Sequence, residues 1–311
     1  MLEIFLPLVS GACVIQIEKG IAADGAEMQR RIEMYKPTIM QGTPAFWRML
    51  ITSGWKGNSE LTVLCGGEEL KKDLAEMLVQ RCKCLWNMYG PTETTVWSLM
   101  EKINGENSII TIGKPIHNTK IYILDDKLKV VPPGVIGDLY IGGLGVSEGY
   151  NNDEDQTRKR FVLNPYKNDE TLFFTGDKAK YLSDGRVMFC GRKDHQLKIR
   201  GFRIEPAEIE NRLNKYRSIE NSVVIGIKDS SGEYSLTAFI KLENGIRKEA
   251  IDLSDLRKYL REELPEYMIP SRFAFVHQFP LTPNLKIDRK KLMEIPLDEV
   301  EENIEDQMPR N

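Results

Sequence analysis

Between Asn87 and Trp97 the chain reads NMYGPTETTVW, which places an aromatic ring, a Gly-Pro corner, three threonine hydroxyls and one carboxylate within a single short stretch. Such a set can stack on a flat ligand, donate to an anion and hold a hard cation that prefers carboxylate and phosphate oxygens. Taken alone, YGPTE is equally an ordinary strand-to-helix loop. Three further polar stretches follow in order: FTGDKAKYLSDG, GRKDHQLKIRGFRIEPAEIE and LTPNLKIDRKKL. In isolation TGD and SDG are turn sequences, and Arg192 and Arg200 would be solvated surface charges. Four such stretches in one order rarely arise by chance.

The elements that must position these residues fall into three styles. From residue 25 to 97 helical and apolar runs alternate. AEMQRRIEMY is followed by TIMQ, PAFWRMLI by LTVLCGG, and KKDLAEMLVQRC by LWNMYG, with Pro44 suited to a first helical turn. That alternation predicts a parallel α/β sheet, in which ligands sit on loops beyond the carboxyl ends of the strands. CGGEE and NMYGPTETT are two of those loops. Gly66, Gly67 and Gly90 allow close backbone approach there. Residues 108 to 192 are short alternating runs split by Gly, Pro, Asn and Asp, which predicts an antiparallel β unit with a hairpin at LSDGRV. After GRKDHQLKIRG the order helix, strands, helix, strand predicts a compact α+β module.

The expected boundaries are a large region at 1–193, with an α/β part at 1–105 and a β part at 106–193, then a small module at 195–295. Residues 296–311 are acidic without a clear apolar face and read as a linker.

Composition narrows the function classes. The chain has 311 residues, 41% hydrophobic and 29% charged, so it can bury more than one core. A net charge of −3, with Lys and Arg spread out, gives no footprint for general nucleic-acid binding. Five cysteines and three histidines show no zinc spacing and read as reduced thiols in a cytoplasmic protein. The run IFLPLVSGACVI has Glu3 where a signal peptide carries positive charge. It is also far shorter than the roughly 20 apolar residues of a membrane span, so a buried helix followed by a strand is expected.

On the four quoted motifs the chain resembles the adenylate-forming, AMP-binding superfamily, and specifically the amino-acid adenylation domains of nonribosomal peptide synthetases. The resemblance runs from residue 2 to about 292 and is most specific at 87–93, 191–205 and 281–289. It implies activation of an amino acid by ATP to an aminoacyl adenylate, and transfer to the phosphopantetheine thiol of a peptidyl carrier domain. It implies an α/β plus α+β architecture with a mobile C-terminal domain. Asn87 would bond the adenine amino group, Tyr89 would stack on the ring, and Gly67 would let backbone approach it. Thr92 would touch the α-phosphate and Glu93 would hold Mg2+. Asp177 would accept from both ribose hydroxyls, with Arg192 nearby. Lys286 matches the catalytic lysine, although Leu285 stands where the family has glycine. A cation at about 4 Å is worth roughly 4 kcal/mol at an effective dielectric near 20. Asp194 matches the hinge, whereas His195, Lys290 and Lys291 read as surface residues.

The family's specificity positions fall on Leu2, Gln41, Leu64, Gly66, Met88, Val96 and Trp97, a set similar to that of glycine-activating members. A plain core role for Val96 and Trp97 is the alternative. The family's Ser/Thr/Gly-rich phosphate loop and the aspartate that pairs with the substrate ammonium are not in this sequence. ITSGWKGNSE lacks the spacing of a phosphate cradle and reads as a plain loop. The expectation is therefore the C-terminal part of an adenylation domain lacking most of the first α/β subdomain, working with an upstream segment. The alternative is a noncatalytic remnant or interaction module. An acyl-CoA ligase fits less well, because YGPTETT and DHQLKIRGFRIE look like the peptide-synthetase branch.

Overall fold

The computed structural model describes residues 2–18, 20–105, 109–193, 196–199, 201–228, 234–281, 287–295 and 301–302. The chain forms two compact units, Met1–Asp194 and His195–Asn311.

In the first unit, α2 (Gly25–Tyr35) starts where the Asp24 carboxylate accepts from the amides of Ala26 and Glu27. The next helix, α3 (Pro44–Thr52), has proline in its first turn and is capped by Thr43 Oγ1, which accepts from Phe46 N at 3.2 Å. Strands β1 (Ile39–Gly42), β2 (Asn58–Gly66) and β3 (Cys82–Tyr89) are parallel neighbours, with α4 (Lys72–Val79) joining the last two. Met28, Ile32, Trp47, Leu50, Val63 and Leu85 close the core between helices and strands. The expected alternation thus appears, but the sheet is mixed. Strands β4 (Leu99–Ile103) and β5 (Lys114–Pro115) extend it antiparallel, in the order β1-β2-β3-β4-β5. The loop after Tyr89 is too short for the crossover that a parallel return requires.

A second sheet contains β6 (Thr119–Leu124), β7 (Gly137–Gly143), β8 (Phe161–Leu163), β9 (Thr171–Tyr181) and β10 (Val187–Arg192), all antiparallel. The short helix α5 (Glu154–Arg160) leads into β8. The SDG turn closes the β9–β10 hairpin, where Leu182 N donates to Arg186 O at 2.8 Å. Tyr89 and Leu99 from the first sheet pack with Ile123, Leu139, Ile141 and Val187 of the second. The strand carrying the NMY residues is therefore shared between two cores.

Two local expectations are corrected. The N-terminal run does form α1 (Leu2–Val9), but Phe5 is 60% and Val9 82% exposed, and residues 12–18 form no strand. Its apolar residues run all round the helix, so they cannot all face one core. ITSGWKGNSE is more than a loop. Trp55 is buried against Trp47, ring centroids 5.8 Å apart, and Asn58 begins β2.

The second unit holds β11 (Leu197–Ile199) paired with β12 (Phe202–Ile204), then α6 (Pro206–Leu213), β13 (Ile219–Lys228), β14 (Tyr234–Leu242), α7 (Leu253–Arg261), β15 (Arg272–Phe275) and α8 (Arg289–Met293). Within the segment read as an acidic linker, β16 (Glu301–Glu302) pairs antiparallel with β15. Ile204, Ile209, Val224, Ile240, Leu256 and Phe273 anchor its core. Among the described residues no helix is long and apolar enough to cross a membrane.

Candidate functional site

Asp177 lies on β9 directly opposite Arg192 on β10, just past a register shift between Phe189 and Arg192. The bulge includes Gly191 at φ 99, a conformation that suits glycine. Arg192 Nη1 donates to Asp177 Oδ1 at 2.5 Å, and Arg192 Nη2 to Thr175 O at 3.2 Å. Thr175 Oγ1 donates to Leu139 O at 2.9 Å and accepts from Asp177 N at 3.0 Å, which fixes the strand under the carboxylate. The other carboxylate oxygen, Oδ2, accepts from the Tyr89 hydroxyl at the end of β3. Asp177 is 3% exposed, so the guanidinium and the phenol together offset its desolvation. Burial, then the Asp177 charge and hydrogen bond, push the Tyr89 phenol well above its ordinary value.

Asn87, on the same strand, is buried and donates its amide Nδ2 to Thr111 O at 2.7 Å. Beyond Gly90 the chain folds tightly. A Cβ at Gly90 would lie 2.4 Å from Val96 O, so no other residue fits. Thr92–Thr94 form one 3₁₀ turn, after which Thr95 (φ 63) and Val96 (φ 67) are both left-handed. Trp97 N then donates to Thr95 O at 2.8 Å, closing a three-residue turn around Val96. For a β-branched residue that conformation stores strain. Thr94 Oγ1 and Ser98 Oγ, 2.6 Å apart, tie the turn to β4.

Glu93 is held from the loop after β7. Tyr150 donates its hydroxyl to Glu93 Oε1 at 2.5 Å, and Ser147 N donates to Glu93 O at 2.9 Å. Thr95 Oγ1 donates to Gly145 O at 2.8 Å in the same contact. Tyr150 and Thr111 were not singled out from the sequence. Their loops carry no periodic signal, and only the fold brings them to β3 and its turn. Thr92 is exposed at the turn surface, where its hydroxyl can meet a ligand.

Five of the seven expected pocket positions come together. Gln41 pairs with Leu64, and Gly66 with Met88, across β1, β2 and β3. The Trp97 ring lies over Gly66, where an added Cβ would meet the indole at 2.5 Å and Met88 O at 2.6 Å. Trp97 Nε1 donates to Gln41 Oε1 at 3.2 Å, and Gln41 Nε2 donates to Glu3 Oε1 at 2.8 Å. Val96 sits at the strained turn beside them. Gly67 has φ 88, and a Cβ added there would stand 3.6 Å from Thr43 Cγ2. Leu2 opens α1, but its side chain, together with Asp194 and Lys286, lies outside the described residues. Among the described residues no group of three or more His, Cys, Asp or Glu side chains could hold a metal ion by itself.

The chain matches the family model of AMP-binding enzymes over residues 1–151 and that of the AMP-binding enzyme C-terminal domain over 208–286. It is 41% identical over 311 residues to a dimodular nonribosomal peptide synthase of Bacillus subtilis, covering 99% of this chain and 13% of that protein. A four-domain nonribosomal peptide synthetase solved with AMP and glycine shares 41% identity and a TM-score of 0.61, covering 93% of this chain and 22% of that one. A peptide synthetase protein with adenylation and PCP domains, solved with a vinylsulfonamide inhibitor, shares 26% identity and a TM-score of 0.77, covering 94% of this chain and 50% of that one. The chain thus spans about an eighth of the first of these proteins and half of the last. With the two family models matched in order and 99% of this chain aligned to part of a peptide synthetase, the chain belongs to the AMP-binding, adenylate-forming enzymes, on the branch of the nonribosomal peptide synthetases.

Proposed function

We propose that this chain supplies the adenine, ribose and amino-acid walls, together with the C-terminal domain, of an enzyme that activates glycine or another small amino acid. The substrate carboxylate attacks the α-phosphorus of ATP, diphosphate leaves, and the aminoacyl adenylate then passes to the phosphopantetheine thiol of a peptidyl carrier domain. The observation that carries this reading is the buried Tyr89–Asp177–Arg192 triplet, drawn from three strands of two sheets. A carboxylate held in place by a guanidinium and a phenol suits the acceptance of two hydroxyls, which is what a ribose edge offers. Tyr89 presents the ring face to adenine, and Asn87 its amide edge.

Thr92 and Glu93 take the phosphate side. Glu93 is a single carboxylate, which fits an ion that draws the rest of its shell from phosphate oxygens and water, as Mg2+ does. When bound, that ion neutralises charge on the phosphates. Lys286 adds a second cation near the α-phosphate, where two anions must meet. Asp194 serves as the hinge that lets the lysine enter and leave. The Trp97 ring over Gly66 leaves room for little or no side chain, and the glycine bound in the 41% identical synthetase supports the same preference.

Amino-acid-dependent ATP–pyrophosphate exchange tests the proposal, run on this chain and on the chain joined to the family's upstream phosphate-loop segment. Exchange strongest with glycine and abolished by Lys286→Ala is the expected result. Absence of exchange in both forms would overturn it in favour of a noncatalytic module.

A further inference from the structure

The buried acid Glu101 has no part in the reaction just described, yet it sits directly opposite Asn87 in the β3–β4 register. It is 7% exposed. Glu101 Oε1 accepts from Arg186 Nη1 at 2.6 Å. Its Oε2 accepts from Thr111 N at 3.1 Å and also from the Thr111 hydroxyl. Thr111 Oγ1 in turn accepts from Gly113 N at 3.1 Å. Two backbone bonds fasten the same segment to β10: Ile112 N to Val187 O at 2.9 Å, and Val187 N to Gly113 O at 2.8 Å. The Thr111 peptide is therefore fixed on both sides, and its carbonyl is the group that accepts from Asn87 Nδ2.

That last bond has a chemical consequence. A carbonyl only accepts, so the end of the Asn87 amide turned toward Thr111 must be the NH2. The opposite end, Oδ1, is an acceptor. An acceptor at this place matches the 6-amino group of adenine and opposes the 6-oxo group of hypoxanthine or guanine.

We propose that Glu101, braced by Arg186, is a positioning residue for base selection: it fixes the Thr111 carbonyl, which fixes the orientation of the Asn87 amide and so the preference for a 6-amino purine. The inference rests on the reading that Asn87 faces the base. Glu101 touches no substrate, and its effect passes through two residues. A buried carboxylate with three donors costs much to leave half-satisfied, so loss of the acid lets the 111–113 segment and the amide relax.

The test is calorimetric titration of the chain with AMP, IMP and purine riboside 5′-monophosphate, which carry an amino, an oxo and no group at position 6. The native chain is expected to favour AMP over IMP by about tenfold or more, the worth of one well-formed hydrogen bond. Glu101→Gln is expected to lower that ratio severalfold, while affinity for purine riboside 5′-monophosphate changes less than about twofold. A role in stability alone would instead lower all three affinities together. Should Glu101→Gln fail to fold, Arg186→Gln removes the brace from the more exposed side of the pair and is expected to move the ratio the same way. An unchanged AMP-to-IMP ratio in a folded variant would overturn the inference. A native chain that binds AMP and IMP alike would overturn both the inference and the role of Asn87, whereas failure to bind any of the three would overturn the reading of the site itself.

Discussion

The hydroxyl of Tyr89 donates to the Asp177 carboxylate across 88 residues of sequence, joining the end of a parallel strand to the middle of an antiparallel one. Because Arg192 holds the other oxygen of the same carboxylate, one buried charge ties together β3, β9 and β10. The position of that carboxylate is thus set by the fold before any ligand arrives.

The first prediction concerns pH. The Tyr89 phenol is raised in the folded state, so above the ordinary tyrosine value near 10 the unfolded chain loses this proton while the folded chain keeps it. Folding stability falls as pH rises through that range and does not depend on this group below it. Cys82, pushed to about 11 by burial, and Tyr140, pushed to about 12 by burial, act in the same direction. Urea denaturation between pH 8 and 11, as an approximate window, should show this loss, and Tyr89→Phe should flatten part of it.

Removing the guanidinium should cost more than removing the phenol. Arg192→Ala leaves Asp177 buried with one donor fewer and without its countercharge, and a loss of about 3 kcal/mol is expected. Tyr89→Phe keeps Arg192 and should cost about 1–2 kcal/mol. Urea midpoints at neutral pH compare the two directly, and the reverse order would contradict the arrangement described.

Val96 offers a test in the opposite direction. It is β-branched and left-handed at φ 67, where glycine is unstrained. Val96→Gly is expected to leave stability unchanged or to raise it by up to about 1 kcal/mol, against the loss usual for truncating a half-buried valine. Thermal denaturation reads the sign.

Gly66→Ala should destabilise by about 1–3 kcal/mol, because the new methyl meets both the Trp97 ring and the Met88 carbonyl. Trimming the ring with Trp97→Leu should rescue only part of the loss, since Met88 O is backbone and cannot move aside. Full rescue in the double variant would show that the indole alone sets the space over Gly66.

Much of this architecture was legible in the sequence because it depends on local pattern. The alternation from Gly25 to Tyr89 gives α2, α3 and α4, each followed by one of the strands β1, β2 and β3, and the SDG turn gives its hairpin. What escaped was set by contacts between distant segments. The antiparallel β4 follows from a short reversal at Gly90, and its run looks no different from a parallel strand, while β5, expected in the antiparallel unit, pairs with β4 in the first sheet. The exposure of α1 is invisible in a run of apolar letters, because burial depends on which distant segments pack against it. Asn87, Tyr89, Glu93 and Asp177 stood out by motif. Their partners Thr111 and Tyr150 are common residues that gain meaning only where distant segments meet.

The central claim is that Asp177, fixed by Tyr89 and Arg192, takes the ribose edge of an adenine nucleotide. Calorimetric titration of the chain with AMP and with 2′,3′-dideoxy-AMP tests it most directly. The account predicts that AMP binds at least about tenfold more tightly, and that Asp177→Asn narrows the gap between the two ligands. Equal affinity for the two nucleotides, or no binding of AMP, would contradict it.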